Sequence, residues 1–196
     1  MVEISAKLVG ELRNSTGAGF IDCKNALIEA DGNLEEAVTI LKKKGVATAA
    51  KKLGREANEG IVESYIHGGG RIGVLLELNC ETDFVAKNSE FQKLARDICM
   101  HIAAANPLYV CRESVPPDVV GNEREIAAAQ ARDKPQHAID KIVEGKMDKW
   151  YQQNCLLEQF FVKDQEKTVN DHITAAIAII GENIRVGRFV RFQIGE

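Results

Sequence analysis

The sequence predicts an α+β fold, with an N-terminal bundle of three helices followed by an α+β core built on an antiparallel sheet. Three observations predict it. Helical spacing recurs three times before Gly45, broken only by short turns. Residues on either side of Gly68-Gly69-Gly70 alternate as a hairpin does. A strongly apolar helix near the end of the chain is followed by a last alternating segment. Strands at both ends of the core with helices between them favour an antiparallel sheet.

Taken in order, Ile4, Leu8 and Leu12 repeat at four-residue spacing, with Ser5 a candidate N-cap. Ser15-Thr16-Gly17-Ala18-Gly19 breaks the pattern. Cys23, Ala26, Leu27 and Ala30 then form one face of a second helix. Asp31-Gly32-Asn33 is a turn, and Asn33 with Glu36 resembles a capping box. Leu34, Ala37, Val38 and Leu41 mark the third helix. Lys42, Lys43 and Lys44 suit its C-terminal end, with Gly45 expected as the C′ residue. Val46 to Gly60 reads as a linker and the first edge of a second domain. The expected division is residues 1–55 for the bundle with its linker and 56–196 for the core.

In the core, Ile61 to His67 and then Ile72, Val74, Leu76 and Leu78 make the hairpin, whose second strand has one wholly apolar face. Cys80 to Lys87 is irregular. Phe91, Leu94, Ala95 and Ile98 carry a helix that stops near Asn106-Pro107. Leu108 to Gly121, with Pro116-Pro117, reads as a loop with a short extended piece. Glu123 to Arg132 and Pro135 to Glu144 read as two helices, with Pro135 at a first helical position and Gly145 a stop. Met147 to Asp164 fits no single pattern. Thr168 opens a last helix with Ile173, Ala176, Ile177 and Ile180 on one face and Gly181 beyond it. Ile184, Val186, Val190, Phe192 and Ile194 at even spacing make the final strand.

Composition narrows the function. The chain has 196 residues, 45% of them hydrophobic and 28% charged, ordinary values for a globular protein. A net charge of -4 argues against a nucleic-acid binder. The five cysteines, Cys23, Cys80, Cys99, Cys111 and Cys155, are odd in number and lack C-x-x-C spacing, as free thiols in a reducing cytoplasm would be. Met1-Val2-Glu3-Ile4 shows no leader pattern. The most apolar window, Ile173 to Ile180, is too short to span a bilayer. A cytoplasmic protein without a membrane partner is expected.

No reactive constellation is visible. Gly68-Gly69-Gly70-Arg71-Ile72-Gly73 lacks the Lys-Ser/Thr of a phosphate loop and joins two strands, so it reads as a turn. His67, His101, His137 and His172 are scattered, and Cys99 and His101 point apart on a helix, so neither metal nor cofactor is expected. No serine or cysteine has a nucleophile's surroundings. Arg185, Arg188 and Arg191 lie on the final strand, Arg185 and Arg191 sharing a face. That face reads as solvated, with protein docking the alternative. Phe20 and Ile21 follow a glycine-rich corner where both cannot face the core, so one is expected at the surface.

The unusual feature is Thr82-Asp83-Phe84-Val85, two large apolar residues at the entrance to a helix. Phe84 either folds back as a hydrophobic staple or stands out as an anchor for a partner's pocket. Two other classes compete with a docking factor. A helical binding module fused to an enzyme domain is disfavoured by the missing nucleophile, metal cluster and phosphate loop. An RNA- or ribosome-binding protein is disfavoured by the acidic balance.

Several segments together resemble the elongation factor Ts family. They are Leu8 to Arg13 with Thr16 to Lys24, Asn79 to Asn88, Val143 to Met147, and Arg188 to Glu196. The resemblance covers nearly the whole chain. It implies a ubiquitin-associated-like N-terminal bundle on an α+β core. It implies a guanine-nucleotide exchange factor of translation elongation, not an enzyme of covalent chemistry, that releases GDP from elongation factor Tu so that GTP can bind. Thr82, Asp83, Phe84 and Val85 would disturb the Mg²⁺ site of that GTPase, while Arg13, Phe20 and Ile21 would contact its GTPase domain. The chain resembles a short form that lacks the second core half of longer members. A homodimer through the core would restore that half by symmetry. No direct nucleic-acid contact and no cofactor are implied.

Overall fold

The computed structural model describes residues 4–132 and 135–196. Residues 1–3, where the leader pattern was sought, and the side chains of residues 136 and 137, including one of the four histidines, lie outside the described set. The architecture is α+β, as the periodicities predict.

Helix α1 (Ala6–Thr16) begins where Ser5 Oγ accepts the Leu8 N–H at 3.2 Å. It ends at Gly17, whose left-handed backbone lets its N–H reach Arg13 O at 2.8 Å. Helix α2 (Phe20–Glu29) follows the Gly17–Gly19 corner. Helix α3 (Leu34–Ala50) is capped by Asn33 Oδ1, which accepts from Glu35 N at 3.0 Å and Glu36 N at 3.2 Å. Their apolar faces meet in a small core of Val9, Leu12, Cys23, Ala26, Leu27, Ala30 and Ala37. Burying Leu12 and Leu27 contributes roughly 1.5–3 kcal/mol each.

The expected stop at Gly45 is wrong, because α3 runs through it to Ala50. The missing side chain serves close approach instead of termination. A Cβ at Gly45 would lie 3.1 Å from the Ala178 Cβ of a later helix.

Strands β1 (Glu59–His67) and β2 (Ile72–Cys80) form the expected hairpin. Gly68, Gly69 and Gly70 all have positive φ, a run that only glycine adopts readily. Val74, Leu76 and Leu78 are buried on one face of β2. The corner after β2, read as irregular, contains a single-turn helix, α4 (Asp83–Ala86). Helix α5 (Ser89–Ala105) buries Phe91, Leu94, Ala95, Ile98 and Ile102, and the chain leaves it through Asn106.

Three further boundaries differ from expectation. Pro116-Pro117 does not sit in a loop: Pro117 is the first residue of α6 (Pro117–Ala129), where a missing N–H costs nothing. Gly145 does not end its helix, for α7 (Gln136–Asn154) continues past it. Glycine in a helix interior costs about 1 kcal/mol, less than is gained by burying Met147 and Tyr151 on the same helix against Val115, Ala127 and Val143. The ambiguous stretch after Met147 also holds a small antiparallel ladder of β3 (Phe160–Phe161) and β4 (Asp164–Thr168).

Helix α8 (Val169–Ile180) starts with a reciprocal cap. Thr168 Oγ1 accepts the Asp171 N–H at 3.1 Å and Asp171 Oδ2 accepts the Thr168 N–H at 2.9 Å. Strand β5 (Arg185–Gln193) completes a three-stranded sheet of order β1-β2-β5.

Contacts divide the chain into two compact units. The first takes in residues 4–61, 78–94 and 173–185 and contains the helical bundle with most of α8. The second takes in 62–77, 95–132, 135–172 and 186–196, with most of the sheet, α6, α7 and the β3–β4 ladder. In the second unit Arg191 departs from the solvated reading. Its side chain is only 8% exposed, its guanidinium donates to Ala103 O and Gln193 Oε1, and it pairs with Glu196.

Candidate functional site

The conspicuous surface of the first unit is the corner between β2 and α4. Thr82 is the N-cap of α4, with extended backbone at φ -131 and ψ 155. Its hydroxyl accepts the Val85 N–H at a long 3.5 Å. Behind it, the Cys80 thiol donates to Thr82 O at 3.1 Å. Cys80 is buried, and that burial raises the pKa of its thiol, as suits a packing group.

Phe84 stands 80% exposed at the tip of this turn, so it does not fold back as a staple. Val85 is half-buried and Ala86 buried, giving the turn its footing. Asp83 accepts a hydrogen bond from Lys87 Nζ at 2.7 Å. That bond, more than the attraction of the two charges, holds the Asp83 carboxyl below its ordinary range. The tip therefore presents an aromatic ring beside a carboxylate that stays ionised at neutral pH.

Beneath the tip lies a pair of reciprocal clasps that sequence reasoning missed. The Glu182 carboxylate accepts from Glu81 N at 3.1 Å, Thr82 N at 3.0 Å and Thr82 Oγ1 at 2.7 Å. In return Glu81 accepts the Asn183 N–H at 2.7 Å and, weakly, the Arg55 guanidinium at 3.4 Å. These donors keep the Glu81 carboxyl below its ordinary range, the Asn183 N–H having the largest effect. Only the short polar run after Gly181 hints at this in the sequence. Nothing local links it to a corner a hundred residues earlier.

The other predicted residues lie around the α1–α2 corner. Arg13 is exposed in the last turn of α1, and Phe20 and Ile21 open α2. Both apolar residues are at the surface, Phe20 49% and Ile21 72% exposed, where the sequence reading expected one. Gly19 caps α2 through its backbone alone, and the buried face begins only at Cys23.

The second unit leaves a sheet face uncovered. Val62, Ile66, Leu75, Val190 and Phe192 are all exposed. A Cβ on Gly73 would touch Ile66 at 3.3 Å, and Arg188 pairs with Glu77 at 2.8 Å, which shows that these alternate residues share one face.

Among the described residues no His, Cys, Asp and Glu side chains cluster as metal ligands would, and no helix is long and apolar enough to cross a membrane. What these corners offer a partner is contact. Exposed apolar side chains of this kind are characteristic of the class of proteins that dock on another macromolecule. Comparison with known proteins makes the class specific. The family model described as Elongation factor TS matches residues 22–196. The chain is 60% identical over 195 residues to the elongation factor Ts of Caldanaerobacter subterraneus subsp. tengcongensis, covering 98% of each chain. It is 59% identical over 197 residues to that of Fervidobacterium nodosum, over the full length of both. With that of Carboxydothermus hydrogenoformans the identity is 58%, covering 98% of this chain and 90% of the relative. The chain belongs to the elongation factor Ts family, the nucleotide exchange factors of translation elongation.

Proposed function

We propose that this chain releases GDP from elongation factor Tu, with the Thr82–Val85 corner working at the Mg²⁺ and phosphate site of that GTPase so that GTP can rebind. The observation that carries the reading is the exposed Phe84 ring, held on a hydrogen-bonded corner in a member of this family. An aromatic ring left in water gains its burial energy only when a partner's crevice covers it. GDP is held in such GTPases by a phosphate loop and by Mg²⁺ on the phosphate oxygens. A ring wedged beside that ion, with the Asp83 carboxylate competing for the groups around it, favours the nucleotide-free state. By linkage, tighter binding to that state lowers GDP affinity by the same free energy. No covalent bond need break, and the factor itself needs no cofactor or metal.

Arg13, Phe20 and Ile21 supply a separate docking contact. The functional division is residues 1–55 for docking and 56–196 for exchange and self-association. The site of action is the cytoplasm, with no direct contact to nucleic acid. Timing the release of labelled GDP from elongation factor Tu, with and without this protein, tests the reading. Identical release rates overturn it.

A second copy of the chain is the proposed occupant of the uncovered sheet face. Five exposed apolar side chains lie there beside the Glu77–Arg188 pair, a patch that can complement its own image about a twofold axis. Sedimentation should give a dimer that Phe192→Glu dissociates. A monomer at every working concentration overturns this reading.

A further inference from the structure

Helix α4 is only four residues long, and so short a helix has no stability of its own. With most of Phe84 in solvent, side-chain packing does not fix where the ring points. Its direction comes from the backbone that enters the turn, at Glu81 and Thr82. Thr82 is a weak N-cap toward Val85, at 3.5 Å, while its hydroxyl donates a short bond to Glu182 at 2.7 Å.

That carboxylate is bound at three points to two consecutive residues, which fixes the orientation of the peptides entering α4. A charged acceptor makes hydrogen bonds roughly twice as strong as a neutral one. Glu182 is itself held. Asn183 donates its backbone N–H to Glu81, and its Nδ2 donates to Arg55 O at 2.7 Å and Leu53 O at 3.4 Å. Lys52 Nζ donates to Gly181 O. The end of α3, the β2–α4 corner and the α8–β5 turn are thus tied at one point within the first unit.

We infer that Glu182 is a positioning residue of the exchange step: its carboxylate templates the Glu81–Thr82 backbone and so aims Phe84 at the partner. The inference rests on the exchange reading of Phe84 given above. Glu182 touches neither nucleotide nor ion and acts only through the corner.

The test is a cycle of full-length variants, Glu182→Ala, Glu182→Gln, Phe84→Ala and the double Phe84→Ala/Glu182→Ala. Release of labelled GDP from elongation factor Tu is followed across factor concentrations, so that the maximal rate separates from half-saturation, and melting temperatures are recorded alongside. Glu182→Ala is expected to lower the maximal rate about tenfold while half-saturation stays near wild type, because the bundle contact is intact. Glu182→Gln recovers much of the rate: its amide oxygen still accepts the two N–H groups, and the Thr82 hydroxyl turns to accept from its NH₂. In the Phe84→Ala background, Glu182→Ala slows release no further. A folded Glu182→Ala protein with the wild-type maximal rate overturns the inference, as do effects of the two substitutions that simply multiply. If Glu182→Ala melts below the assay temperature, Glu182→Asp, whose shorter carboxylate cannot span all three donors, carries the same cycle with a smaller loss of rate expected. Undiminished release by Phe84→Ala alone brings down the exchange reading and this inference together. Slow Phe84→Ala beside wild-type Glu182→Ala brings down the positioning role only.

Discussion

His101 donates from Nε2 to Gln159 Oε1 at 2.9 Å, with both residues buried in the second unit. Its Nδ1 accepts the Val162 N–H at 3.2 Å, which selects the neutral tautomer, and Gln159 passes the chain on to Gln153 O at 2.6 Å. Burial lowers the pKa of this imidazole from the ordinary 6.5, against a smaller opposing effect of Gln159. The unfolded chain therefore takes up the proton first as pH falls. The stabilisation is complete above about pH 6.5 and is lost as pH falls from there through the lower folded value. Melting temperature should decline in that window, and His101→Gln should flatten that part of the decline. Parallel pH profiles for the two proteins would contradict this.

Phe84→Ala should weaken the nucleotide-free complex with elongation factor Tu by about 2 kcal/mol, roughly thirtyfold. Its melting temperature should hardly move, because the ring is already in solvent. A large loss of stability with proportionate loss of release would mean that the ring supports the fold instead.

Phe20→Ala with Ile21→Ala should raise the half-saturating concentration in GDP release by about tenfold or more and leave the maximal rate in place. Substitution is a cleaner test than removing the bundle, because α3 packs closely on α8 at Gly45. An unchanged half-saturating concentration would exclude the α1–α2 corner from docking.

The two glycines inside helices should respond with opposite signs. Gly145→Ala has no neighbour within 4 Å of the new methyl and should add about 1 kcal/mol of stability. Gly45→Val must push α3 from Ala178 and should cost about 1–3 kcal/mol. Chemical denaturation of the two variants measures both.

Arg191→Lys should destabilise by about 1–3 kcal/mol despite keeping the charge. One ammonium cannot reach Ala103 O, Gln193 Oε1 and Glu196 as the planar guanidinium does. Stability equal to wild type would show that these bonds are dispensable.

What was legible in the sequence was local. Ser5, Asn33 and Thr168 announce helix starts because a cap and its partners lie within four residues. Gly45 misleads because a glycine signals both a stop and a close approach, and only the opposing helix decides. Gly145 misleads because its helix runs on through an interior glycine with open space around it. Pro117 opens a helix although the Pro-Pro pair reads as a loop. A ladder as short as β3–β4 has no periodicity to detect. Arg191 alternates like a surface residue, and the carbonyl that buries it comes from α5. At the candidate site, Thr82–Val85 is visible as a motif. The direction of Phe84 is not, since it depends on Glu182, which no local pattern connects to it.

The distance between those two residues along the chain also sets an order of events during synthesis. Residues 81 and 82 leave the ribosome long before 182 and 183 have been made. Until then the clasp cannot close, and contacts so far apart in sequence are the slow ones to form. On the positioning role inferred for Glu182, a growing chain carries its anchor unaimed. Competence to drive GDP release then arrives only once residues 182 and 183 have been made, later than the docking contact proposed for the bundle.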